Sequence, residues 1–198
     1  MNNTGIIILA AGNSSRFGTI KQLLQFNNKT LIQHVIDEAI DAKLSPVIVV
    51  TGANAGEVSE GIENKKAIIV FNKHWKEGMA TGIVTGLQNA ITINDKIENI
   101  IIAVCDQPFI SSSLFKQLLK MRQDTGRNIV ACAYADTAGT PVLFGKKYFD
   151  ALMNLQGEEG AKKILKANKD DVVTINFPRG SIDIDTQKDY DDLLEKQN

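Results

Sequence analysis

The sequence is poor in the residues that cross-link, punctuate or metallate a chain: of 198 residues, two are cysteine, four proline, two histidine and one tryptophan. Cys105 and Cys132 stand in apolar runs without CxxC spacing, which excludes a disulfide framework and a zinc site of the usual kind and leaves them as reduced core thiols. His34 and His74 have no partner at metal-ligand spacing and read as structural. An excess of one charge is missing too. Twenty-two Lys and Arg stand against 23 Asp and Glu, so no bulk field exists to hold a polyanion, and nucleic acid is not expected as a partner. No apolar run is long enough to span a bilayer, and Met1-Asn2-Asn3-Thr4 has neither a charged n-region nor a cleavage site, so a cytoplasmic location without membrane contact is expected.

The composition that remains, 43% hydrophobic and 23% charged, is that of a globular chain. A fold of this length buries roughly 70% of its unfolded surface and builds a core without disulfides or structural metal. No linker or repeat divides the sequence, so one domain over 1–198 is expected. Six β-branched runs recur, at Ile6–Leu9, Val47–Val50, Ala67–Val70, Ile100–Val104, Ile129–Ala131 and Val172–Ile175. They are continuous rather than alternating, as strands covered on both faces are. Leu31, Ile32, Val35, Ile36, Ala39 and Ile40 keep a helical spacing, as do Leu114, Leu118 and Leu119, and later Phe149, Leu152 and Leu155. Pro46 precedes a strand, Pro108 follows one, Pro178 falls in a late loop, and Pro141 reads as part of an edge segment. The alternation predicts an α/β three-layer sandwich on a mostly parallel sheet, with a ligand site beyond the carboxyl ends of its strands.

Chemistry concentrates at those ends. The first run opens into Ala10, Ala11, Gly12, Asn13, Ser14, Ser15, Arg16, Phe17, Gly18, Thr19, Ile20 and Lys21. Small residues that expose backbone N–H groups, with two cations further on, suit a phosphate chain, although neither GxxxxGK[ST] nor GxGxxG is present. A plain βα turn with solvated Arg16 and Lys21 accounts for the composition equally well. The fourth run ends in Cys105-Asp106-Gln107-Pro108, and Ser181-Ile182-Asp183-Ile184-Asp185-Thr186 follows before the final helical stretch. Asp106 and Asp185 are candidate Mg²⁺ ligands, since Mg²⁺ takes one or two protein carboxylates and fills its octahedron with water and phosphate oxygens. Taken singly, Asp106 reads as well as a turn residue and Asp185 as a helix N-cap. No GxSxG elbow or Cys/His pairing points to covalent catalysis.

Five blocks in order resemble the MobA-like nucleotidyltransferases over nearly the whole chain, and within them the MocA-like, molybdenum cofactor cytidylyltransferase branch. They are Leu9-Ala10-Ala11-Gly12 with Ser14, Arg16, Gly18 and Lys21; Asn72 through Trp75, Gly78 and Met79 to Gly86-Leu87; Asp106-Gln107-Pro108; Gly139-Thr140-Pro141 followed by Gly157 to Lys162; and Asp183-Ile184-Asp185-Thr186. Lys73, Gly82, Glu158, Lys162 and Thr140 depart from the family's usual Pro, Ser, Asp, Arg and His. The resemblance implies a Rossmann-like nucleotidyltransferase fold and a Mg²⁺-dependent transfer of a nucleoside monophosphate, CMP from CTP, onto a phosphate monoester with release of pyrophosphate. It implies molybdopterin as the acceptor and transient contact with a molybdoenzyme or its chaperone. By residue, Leu9, Ala10, Ala11, Gly12, Ser14, Arg16, Gly18, Lys21, Gly78 and Met79 would bind nucleotide. Arg16, Lys21 and Asp106 would be catalytic, and Asp106 and Asp185 would hold the metal. Ala11 stands where the guanylyl branch has glycine, and its methyl favours a pyrimidine. A sugar phosphate as acceptor, and a non-catalytic accessory role in molybdenum hydroxylase maturation, are the alternatives.

Overall fold

The computed structural model describes residues 3–13, 17–64 and 66–195. Among the described residues nine strands form in chain order: β1 Thr4–Ala10, β2 Gln25–Phe26, β3 Lys29–Thr30, β4 Val47–Thr51, β5 Ala67–Phe71, β6 Asn99–Val104, β7 Ile129–Tyr134, β8 Thr137–Gly145 and β9 Val172–Asn176. Seven of them build one sheet in the order β5-β4-β1-β6-β8-β7-β9, while β2 and β3 pair as a separate ribbon. The sheet is parallel except at β8, which runs antiparallel to both β6 and β7. The helices are α1 Leu31–Asp41, α2 Ala55–Glu60, α3 Met79–Ile93, α4 Ser112–Thr125, α5 Phe149–Met153, α6 Ala161–Ala167 and α7 Gln187–Glu195.

Alternation along each strand divides the core into two layers. Ile6 and Ile8 of β1, Val49 of β4 and Ile101 of β6 pack with Ile32, Val35 and Ile36 of α1 and with Leu114, Phe115 and Leu118 of α4. Ile7, Ile48, Val50, Ile100 and Ile102 face the other way, onto Ile83 and Leu87 of α3 and Leu152 of α5. Each such side chain, fully buried, contributes about 1.5–3 kcal/mol of transfer free energy. Helix α3 comes unusually close to the sheet because Gly86 lacks a side chain: a Cβ there would lie 2.5 Å from Ile7 Cγ2. The three-layer sandwich with a mostly parallel sheet is the arrangement expected from the sequence.

The structure differs from the sequence pattern at two places. Strands β5 and β9 are the sheet's edges rather than doubly covered, and Ile68, Ile69 and Phe71 of β5 are exposed. Pro141, read as an edge residue, lies in the interior strand β8. It is tolerated there because the β7–β8 register jumps from Ala131–Val142 to Cys132–Gly139, leaving Thr140 and Pro141 outside the ladder, and because β6 pairs no further than Val142. No helix among the described residues is long and apolar enough to cross a membrane.

Candidate functional site

The carboxyl ends of β5, β4, β1 and β6 meet at one edge. Parallel pairing sets Leu9 of β1 beside Val104 of β6 and Ala10 beside Thr51 of β4, and Thr51 in turn beside Phe71 of β5. Whatever follows each strand therefore converges, and a cleft of about 450 Å³ opens there. Its floor is Leu9, Ala10, Ala11, Gly12 and Asn13 from the first turn, with Val104, Cys105 and Asp106 beside them. Asn72, Trp75, Lys76, Gly78, Met79, Gly82 and Glu158 also line it.

The first turn is held from behind. Gln22, 1% exposed, donates its side-chain amide to the carbonyls of Ala10 at 3.1 Å and Gly12 at 3.0 Å, and the amide of Ala53 donates to the Ala11 carbonyl between them. Gly52 lets the β4 turn approach so closely, since a Cβ there would lie 2.7 Å from that same carbonyl. Asn72 is buried and donates to Thr81 Oγ1 while accepting from the His74 amide, which fixes the turn between β5 and α3. Gly78 enters α3 with φ +109°, and a Cβ there would meet the Gly157 carbonyl at 2.2 Å, a position only glycine takes. The next residue but one closes the contact, Ala80 donating its amide to that carbonyl. Met79 is left 47% exposed at the cleft mouth.

Lys21 is the cation that meets the carboxylates of the site. Its Nζ lies 2.7 Å from Asp106 Oδ2 and 3.0 Å from Asp185 Oδ1, so two carboxylates 79 residues apart in sequence meet on one ammonium. The Ile184 amide donates to the Asp106 carbonyl, which docks the segment before α7 against the end of β6. Burial alone would depress the Lys21 ammonium. The Asp106 carboxylate, with hydrogen bonds to Asp106 and Asp185, outweighs that and holds it above the usual lysine range, so it stays charged. Asp183 is pushed up by burial and by the neighbouring carboxylates of Asp185 and Asp106. The Cys105 thiol, buried beside Asp106, is pushed up to about 12 and stays a neutral wall residue, and burial raises Cys132 likewise.

Asp185 is not the N-cap of α7. Thr186 and Asp189 cap one another: Thr186 donates its amide to Asp189 Oδ2, and Asp189 donates its amide to Thr186 Oγ1, leaving the Asp185 carboxylate to Lys21. Lys21 is likewise no solvated loop cation, its side chain being 15% exposed. Leu9, Ala10, Ala11, Gly12, Lys21, Gly78, Met79 and Asp106 all line the cleft, and Asp185 joins through Lys21. Gly18 has φ +75° in the connection before Lys21 and is not among the lining residues. Ser14 and Arg16 lie outside the described residues. Gln22, Asn72 and Trp75 join the cleft without any individual signal in the sequence. Asn72 just past β5 and Gln22 in the single turn Lys21–Leu23 are amides whose burial follows only from the tertiary fold. His34 Nε2 sits 2.9 Å from the Ile110 carbonyl, and His74 Nδ1 2.7 Å from Glu77 Oε1. Among the described residues no group of three or more His, Cys, Asp or Glu side chains is gathered so as to hold a metal ion.

A mostly parallel seven-stranded sheet with this cleft across its carboxyl edge defines a Rossmann-like nucleotidyltransferase fold. A nucleotidyl transferase from Methanothermobacter thermautotroptrophicus matches it with a TM-score of 0.81 at 22% identity over the whole of both chains. The chain belongs to the MobA-like NTP transferase domain family, matched over residues 6–172. It is similar to the molybdenum cofactor cytidylyltransferase of Escherichia coli, 25% identical over 96% of this chain and 95% of that one. It is also similar to nicotine blue oxidoreductase of Paenarthrobacter nicotinovorans, 31% identical over 69% and 65%. The chain spans 65% of that protein's length and 40% of another relative's, the bifunctional protein GlmU of Lactobacillus helveticus, which is 25% identical over 98% of this chain.

Proposed function

We propose that the protein transfers a nucleoside monophosphate, CMP from CTP, to a phosphate monoester acceptor of the molybdopterin kind. The observation that carries this reading is Lys21, held between Asp106 and Asp185 beside a turn whose carbonyls are tied back into the protein. A phosphate oxygen of the acceptor attacks the α-phosphorus of the nucleotide. The bond from that phosphorus to the bridging oxygen of the β-phosphate breaks, and pyrophosphate leaves with the electron pair. A phosphate monoester is already ionised near neutral pH, so no general base is required, and catalysis consists of alignment and charge stabilisation.

In a trans peptide the N–H points away from the C=O that precedes it. Tying back the Ala10, Ala11 and Gly12 carbonyls thus turns the following amides the other way, as donors for the β- and γ-phosphates. Gly18 and the hydroxyl of Ser14 belong to the same loop in this reading. Lys21 and Arg16 balance the charge that grows on the transferring and leaving phosphates. The exposed thioether of Met79 and the Trp75 ring supply apolar surface for the base, and Gly78 lets the chain pass close to it.

The donor set at Asp106 and Asp185 suits a hard divalent cation such as Mg²⁺: both groups are carboxylates, and their oxygens already converge within 3.0 Å of one positive centre. When bound, Mg²⁺ supplies Lewis-acid stabilisation of the phosphoryl oxygens. A pyrimidine donor is favoured by the Ala11 methyl on the cleft floor and by the likeness to the Escherichia coli cytidylyltransferase. We read the whole chain as one catalytic domain acting in the cytoplasm, delivering its product by transient contact with a molybdoenzyme or its chaperone.

Pyrophosphate release tests the proposal, measured with CTP, GTP and ATP in turn against molybdopterin and a panel of sugar phosphates, with Mg²⁺ throughout. CTP with molybdopterin is expected to give the fastest release. A faster reaction with a sugar phosphate overturns the acceptor, one with GTP overturns the donor, and silence with every pair favours the accessory role.

A further inference from the structure

The ammonium of Lys21 does more than balance charge. It makes hydrogen bonds to Asp106 Oδ2, to Asp185 Oδ1 and, at 3.4 Å, to the Ile184 carbonyl, so it is already coordinated by oxygens from both strand-end segments. Those are the oxygens a divalent cation would need, and Mg²⁺ would draw them to about 2.0–2.1 Å. Two positive centres cannot share that point, and each carboxylate pulled onto the metal is withdrawn from the lysine. The lysine, in turn, has somewhere to go. Its stem is four flexible carbons, and it lines the same cleft as the Ala10–Asn13 turn that faces the nucleotide phosphates in the reading above.

We infer that Lys21 is the resident counter-ion of the Asp106–Asp185 pair and competes with the divalent metal for it. Metal alone binds weakly. A polyphosphate in the cleft draws the ammonium to itself and vacates the carboxylates, so nucleotide and metal enter cooperatively. The inference rests on the assignment of Asp106 and Asp185 as metal ligands, and its test separates the two.

Mn²⁺ alone, without nucleotide, is titrated into the wild type, Lys21→Met and Lys76→Met, and free Mn²⁺ is followed by electron paramagnetic resonance. Lys76 lines the same cleft but leans on the Trp75 ring, 5.4 Å from its centroid, and among the described residues makes no ion pair with either carboxylate, so it controls for the loss of one cleft cation. Competition predicts that Lys21→Met tightens Mn²⁺ by at least about tenfold, within the range usual for coupled sites. Lys76→Met should change it by no more than about twofold. Lys21→Gln, which keeps a donor and loses the charge, should behave like Lys21→Met and serves if the methionine variant does not fold. Equal affinity in wild type and both Lys21 variants overturns the competition and leaves the ligand assignment standing. Equal tightening in the Lys76 variant overturns it as well, by showing a general charge effect. Absence of Mn²⁺ binding to every protein overturns the ligand assignment itself.

Discussion

Gln22 donates its side-chain amide to the Gly12 carbonyl at 3.0 Å from a position 1% exposed, so a buried side chain rather than a strand ladder sets the direction of the turn after β1. Replacing it by methionine keeps the volume and strands two carbonyls. Gln22→Met should cost about 1–3 kcal/mol in chemical denaturation, the usual effect of unpaired buried acceptors. It should also weaken CTP more than cytidine in calorimetric titration, because the damage lies at the phosphates. Equal weakening of CTP and cytidine would mean that the turn does not bind phosphate.

Asp106 projects from the end of β6 with its side chain 21% exposed, and its carboxylate accepts a hydrogen bond from the Lys21 ammonium. Asp106→Asn preserves shape and removes the charge. Pyrophosphate release should fall by at least about 10², the scale of losing one charge-stabilising group, with an unchanged circular dichroism spectrum. Undiminished turnover would remove Asp106 from the chemistry.

Gly86 and Gly78 make a contrasting pair. Alanine at 86 drives a methyl into Ile7 within the core, and overpacking of this kind costs about 1–3 kcal/mol. Thermal denaturation should register that loss while CTP affinity stays within about twofold. Alanine at 78 meets the Gly157 backbone at an unfavourable φ, so the segment bearing Trp75 and Met79 must shift. Nucleotide affinity should then drop, and a Gly78→Ala protein that binds CTP normally would exclude this segment from the site.

Asp171 lies at the far end of the sheet. Burial would lift its carboxyl, but the Asn128 amide at 2.9 Å, Lys147 Nζ at 2.9 Å, the Asn128 side chain at 3.0 Å and the Tyr148 hydroxyl at 3.0 Å outweigh it and hold the group well below the usual carboxylate range. A carboxyl depressed on folding contributes stability above its unfolded value near 3.9, which is lost as pH falls below that value. Asp171→Asn should therefore be less stable by about 1–3 kcal/mol at pH 7, with the gap flat to about pH 5 and closing toward pH 2. A gap that widens on acidification would contradict the depressed carboxyl.

The sequence told most where one period dominates. The runs at Ile6, Val47 and Ile100 became the strands whose ends form the cleft, and helix α1 follows its apolar spacing closely. Strand β8 was hidden by Pro141, whose missing N–H is harmless only because β7 jumps register opposite it, a fact that lives in the partner strand. Helix α3 was hidden by Gly82 and Gly86, which weaken helix propensity and are tolerated because they admit the sheet. In the site, Lys21, Asp106 and Asp185 could be marked by chemistry and position. Their meeting on one ammonium depends on the docking of Ile184 against Asp106, a contact across 78 residues that no local pattern encodes.

In the proposed reaction the cleft breaks CTP between its α- and β-phosphates and passes the α-phosphorus to another phosphate. Parallel reactions with α-labelled and γ-labelled CTP, molybdopterin and Mg²⁺ follow both halves of the nucleotide. The α-label should appear on the acceptor in equal amount to γ-labelled pyrophosphate. Gamma label recovered as orthophosphate, or α-label that never leaves the nucleotide, would contradict it.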